Sequence, residues 1–167
     1  MIRRHLPRFL PHILASVFLS AVICAACSYR SDLFHEFNDI PARGWDKRNI
    51  QKFFPYIDST DVAYDIDVEL NYGNNYGYRN LYLFVTVENA DREVIARDTL
   101  NCILADEFGK WLGDGWGSSF QQRFPYKRGI KLGEQGTYSI SVSQGMRKDI
   151  IEGIERIGVR ISPVVTE

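Results

Sequence analysis

The segment Tyr64-Asp65-Ile66-Asp67-Val68-Glu69-Leu70 alternates apolar and acidic side chains at every step. That period of two belongs to a strand with one buried and one wetted face; a helix would scatter the same apolar residues around all its sides. Leu81-Tyr82-Leu83-Phe84-Val85-Thr86-Val87 is a nearly continuous run of β-forming residues, as a central strand requires. Between the two, Asn71–Tyr78 is crowded with turn formers and aromatics. Further strands are expected at Leu33–Phe37, Ile50–Ile57, Val94–Leu104, Phe120–Tyr126, Thr137–Ser143 and Ile157–Ile161. Only Met146–Ile154 reads as helix, and it is short. The fold class that follows is all-β, a single antiparallel β-sandwich with one short helix near the C-terminus. Jelly-roll and immunoglobulin-like strand orders both remain open.

The first residues belong to a different kind of segment. Arg3, Arg4, His5 and Arg8 precede an apolar run from Ile13 to Ala26, and Cys24-Ala25-Ala26-Cys27-Ser28 closes it. A basic start, a short apolar core and small residues before a cleavage point are the parts of a secretory signal. The run is short of the ~20 residues that a membrane span needs. The small-small-Cys ending resembles a bacterial lipoprotein signal, with Cys24 where leucine is usual. That resemblance implies a diacylglycerol on Cys27, cleavage before it and acylation of the new amino group. The organisation expected is a signal peptide over 1–26, a lipidated tether over 27–32 and a β-sandwich domain over 33–167. One acyl chain binds a bilayer only marginally, so two or three are needed for a lasting anchor.

Removing the signal takes three arginines and no acid, which moves the net charge from −1 to −4. A mildly acidic domain gives no reason to expect nucleic acid as a partner. Cys102 becomes the only free thiol and His35 the only histidine. One His and one Cys cannot build a zinc site, and a nucleophile–His arrangement would have to use His35 near the tether. Asp106, Glu107 and Asp114 match no calcium loop. Asp58, Asp61, Asp65 and Asp67 read as a solvated series rather than a glycosidase pair. No glycine loop precedes a helix to cradle phosphate. Neither catalysis nor a cofactor nor a metal is expected.

One segment breaks the strand rhythm. Residues 105–117 hold four glycines, two tryptophans and three acids in thirteen positions. Glycines permit close backbone approach, and tryptophans supply broad, rigid contact area. Asp106, Gly109, Trp111, Gly113, Asp114 and Trp116 are therefore candidate partner-binding residues. Self-packing competes evenly with contact for Trp111. Met146 and Arg147 form a second candidate.

The order of several short pieces resembles the gliding-motility lipoproteins of the GldH type. They are Gly44-Trp45, Tyr64, Tyr76–Val85, Asp98-Thr99-Leu100, Leu104-Ala105-Asp106, Gly109–Gly113, Gly136-Thr137-Tyr138, Met146-Arg147, Gly153-Ile154 and Gly158–Ile161. The resemblance implies a non-catalytic envelope lipoprotein, without cofactor, that works with other lipoproteins near motility and secretion machinery. Surface-exported lipoproteins of such bacteria carry acids just after the lipidated cysteine. Ser28-Tyr29-Arg30-Ser31-Asp32 has no acidic run, so an outer-membrane anchor facing the periplasm is expected. The alternative is a glycan- or peptidoglycan-binding sandwich that stacks sugar on exposed tryptophans.

Overall fold

The computed structural model describes residues 32–164, so the signal, Cys27 and the start of the tether lie outside the described residues. Thirteen strands and no helix are found among them: β1 (Phe34–Asp39), β2 (Trp45–Asp46), β3 (Gln51–Phe53), β4 (Tyr56–Ile57), β5 (Ala63–Gly73), β6 (Asn80–Glu88), β7 (Val94–Ile103), β8 (Asp114–Trp116), β9 (Ser119–Lys131), β10 (Gly136–Thr137), β11 (Ser139–Gln144), β12 (Ile150–Ile151) and β13 (Ile154–Pro163). They form an antiparallel sandwich. One sheet has the order β1-β13-β5-β9-β8 and the other β3-β11-β6-β7, with the small pairs β10-β4 and β12-β2 beside them.

The alternation seen in the sequence sets the core. Ile66, Val68, Leu70 and Tyr72 of β5 face inward with Ile157, Val159 and Ile161 of β13. Leu81, Leu83, Val85 and Val87 of β6 oppose them together with Ile140 and Val142 of β11. Each such side chain, fully buried, contributes about 1.5–3 kcal/mol of transfer free energy. Cys102 lies in this core, and burial pushes its thiol far above the ordinary value. The thiolate is the reactive form, so the folded mature domain is expected to resist thiol reagents and to label only on unfolding. Rapid labelling under native conditions would contradict that placement.

Two expectations need correction. Met146–Ile154 is not a helix. The buried Gln144 side chain takes the backbone groups a helix would have used: its Oε1 accepts from Met146 N at 2.7 Å, and its Nε2 donates to the Lys148 and Asp149 carbonyls at 3.0 and 3.2 Å. Ile150-Ile151 then pairs with Trp45-Asp46 as β12.

The second correction concerns the acidic face of β5, which is not simply wetted. Glu69 is 1% exposed, and Asp67 is also buried. The strands on either side place Arg123 and Arg160 so that their side chains fold over this face. Glu69 accepts from Arg160 Nε at 2.6 Å, Arg123 Nε at 3.1 Å and Gln121 Nε2 at 3.1 Å. His35 Nε2 stands 3.5 Å away, and Arg160 continues to Asp32 while Arg128 holds Asp67. One carboxylate thus ties four adjacent strands together.

Candidate functional site

Loop 105–117 leaves β7, turns and returns as β8. Its turn is built by Asp106, whose carboxylate accepts from Phe108 N and Lys110 N, both at 2.9 Å. Gly109 takes φ +84° there, with open space where a Cβ would stand, so backbone conformation alone demands glycine. Ala105 bridges to Trp111, and Leu112 N donates to Leu104 O at 2.9 Å.

Trp111 resolves toward self-packing. Its ring lies 5.4 Å from Tyr72 at 61° and 5.8 Å from Phe120. The Tyr72 hydroxyl accepts from Gly113 N at 3.0 Å and faces Leu104 O and Gln122 Oε1 as donor at 3.2 and 3.1 Å. Burial pushes this phenol above its ordinary value, so it keeps its proton. Gly113 sits so close that a Cβ would meet the Tyr72 oxygen at 2.7 Å. Trp116 is placed in β8 by its backbone; its side chain lies outside the described residues.

The pinned backbone has a consequence that sequence reading missed. Phe108 is 86% exposed, and Leu112 beside it is half-exposed. Leu112 also lines an open cleft of about 660 Å³, with Gly113, Asp114, Gln121, Gln122, Arg123 and the buried Glu69. Asp114 stands opposite Gln121 on the sheet edge. An apolar residue within a Gly- and Asp-rich turn was the available signal for Phe108. Glu69 had no such local signal, because its partners lie 54 and 91 residues away.

Met146 and Arg147 belong to a separate groove of about 330 Å³, lined also by Tyr78, Tyr82, Gly145 and Lys148. Among the described residues no group of His, Cys, Asp and Glu side chains is placed to hold a metal. His35 meets Glu69 and Arg160, and among the described residues no hydroxyl or thiol is hydrogen-bonded to it.

Residues 32–161 match the GldH lipoprotein family. The chain belongs to that family. A gliding motility lipoprotein GldH homolog of Christiangramia forsetii is 32% identical over 153 residues, covering 87% of this chain and 92% of the relative. The gliding motility lipoprotein GldH of Flavobacterium johnsoniae is 28% identical over the same shares. Among solved structures, a family GH115 4-O-methyl-α-glucuronidase covers 83% of this chain and 18% of its own, at 14% identity and a TM-score of 0.42. A likeness that slight carries nothing about function. GldH membership makes the protein a lipid-anchored lipoprotein of the cell envelope, of the kind named for gliding motility. Neither the family name nor the relatives' names denote a catalytic activity.

Proposed function

We propose that this GldH-family protein is a non-catalytic scaffold, anchored through acylated Cys27 in the outer membrane and facing the periplasm, that docks a protein through loop 105–117. The proteins it serves are other envelope lipoproteins or components of a motility or secretion machine. The observation that carries this reading is Phe108, 86% exposed on a turn whose Phe108 and Lys110 amides are both held by the Asp106 carboxylate. A rigid loop that presents a large apolar side chain has already met much of the ordering cost of binding. Such a residue on a solvated tip otherwise gains nothing for the fold.

Replacing Cys27 with serine is expected to abolish acylation and move the protein out of the membrane fraction. Retention of an acylated protein in membranes would overturn the anchor assignment. The docking claim is tested by recovering the protein from solubilised membranes. The wild type should bring a defined protein with it, and a Phe108→Asp, Leu112→Asp variant should not. If both bring the same proteins, the loop is not the docking surface.

The polar cleft supports a second reading. Asp114, Gln121 and Arg123 offer donors and acceptors in the mixture that sugar hydroxyls need. Saturable binding of envelope polysaccharide by the intact lipoprotein, lost in Gln121→Ala, would favour it over protein docking; no binding would eliminate it.

A further inference from the structure

The groove beside Met146 is built as firmly as the loop. Gln144 fixes the 145–149 turn from beneath, and Gly145 N donates to Tyr82 O at 2.7 Å. Gly145 carries no side chain, and the Phe84 ring lies where its Cβ would crowd, at 3.0 Å. Tyr82 and Phe84 remain 41% and 50% exposed on the outward face of β6, where a solvated sheet would carry polar residues. A second pocket of about 260 Å³ shares Tyr78 and Lys148 with the groove and extends it toward Ile150 and Glu152. Arg147 and Lys148 are exposed, and neither forms an ion pair among the described residues, whereas neighbouring Asp149 is taken by Lys47. The groove therefore wants a large apolar side chain with an acid beside it.

This chain exposes that combination at Glu107-Phe108. Glu107 makes no ion pair among the described residues, and Asp106 and Glu107 outweigh Lys110 on the turn. Loop and groove also lie at the same end of the sandwich. β6 begins where β7 ends, at the Asn80–Ile103 pair, and the Arg79 carbonyl accepts from Leu104 N and Ala105 N at 2.9 and 3.0 Å. We propose that the occupant of the groove is Phe108 of a second copy of this chain, in a reciprocal pair that fills both grooves about a two-fold axis. A two-fold pair covers both phenylalanines, while a head-to-tail array would leave one exposed at its end. The inference rests on loop 105–117 being a docking surface and names the protein it docks.

The size of the contact says where the pair forms. Two buried phenylalanines account for roughly 300–500 Å², well short of the ~1,200–2,000 Å² of a stable complex. Confinement of both copies to one membrane supplies the effective concentration that free solution lacks. A dimer in native membranes that dissociates on dilution in detergent is the form expected.

The experiment is oxidative crosslinking in native membranes of the full lipoprotein carrying Lys110→Cys, on the exposed turn two residues from Phe108, and Met146→Cys together, so that the Phe108 anchor stays in place. The expected result is a single band of twice the mass, absent from either single variant. Glu107→Arg alone or Arg147→Glu alone, added to the crosslinking pair, should cut that band at least tenfold, and the two together should restore it. Restoration by the charge swap also excludes misfolding as the cause of loss. A ladder of higher bands would overturn the closed pair, and no band with the charge-swapped protein still folded would overturn self-docking altogether. The scaffold reading fails separately: a photoreactive group at position 108 that captures a different envelope protein sinks the pair and leaves the scaffold, whereas capture of no protein sinks both.

Discussion

Glu69→Ala is expected to lower the stability of the domain by about 3–5 kcal/mol, the usual cost of removing one member of a buried charge network. For a domain of this size that is a fall in Tm of roughly 10–20 °C. The reason lies in what the substitution strands. Arg160 and Arg123 both direct their Nε–H at this carboxylate, and Arg160 is itself mostly buried. Without Glu69 the mostly buried guanidinium keeps Asp32 as its one carboxylate, with the His35 ring beside it, and four strands lose their common tie. Burial opposes ionisation of Glu69, but the hydrogen bond and charge of Arg160, then Arg123 and His35, outweigh it and hold the carboxyl below its ordinary value of about 4.5. A carboxyl depressed in the folded state stabilises the protein fully above the unfolded value and stops doing so as pH falls through the folded one. Stability measured against pH should therefore decline on the acid side below about pH 4.5, and Glu69→Gln should flatten that limb. A Glu69→Ala melt within a degree or two of wild type would show that the network adds nothing.

Phe108→Asp is expected to weaken recovery of the docked protein by roughly 30-fold or more, since an exposed aromatic anchor at the centre of a contact is worth about 2 kcal/mol or above. Adding Leu112→Asp should remove recovery altogether. Phe108→Asp alone should leave Tm within about a degree or two, because its side chain is 86% exposed and exposed substitutions of this kind cost at most ~0.5 kcal/mol. That separation distinguishes a docking residue from a structural one. Trp111→Ala makes the opposite case: it removes a ring packed on Tyr72 and Phe120, so stability and binding fall together. Loss of Tm in Phe108→Asp, or unchanged recovery, would remove the loop from the account.

Where a strand's neighbours along the chain decide its state, the sequence was readable. The alternation of β5 and the apolar run of β6 announced themselves, and both set the core. The strand order was not readable, because β5 lies between β13 and β9, each brought in by long connections. The same reason hides Glu69, whose burial depends on arginines from two distant strands. Met146, Ile150 and Ile154 recur at helical spacing, and that spacing misled: one buried glutamine outcompetes the helix for its backbone groups. The glycine-rich loop was visible as an exception to the strand pattern. Which of its aromatics would pack and which would face water followed from the Tyr72 hydroxyl, 41 residues from the glycine it holds.

The central claim is that Phe108 faces a protein in the envelope. The direct measurement places a photoreactive amino acid at position 108 and, as control, at Asp91, in the turn at the far end of β7, about 30 Å away by strand length. Irradiation of native membranes should give a discrete protein adduct at 108 and none at 91. No adduct at 108, or equal adducts at both, with the lipoprotein acylated and folded, would contradict it.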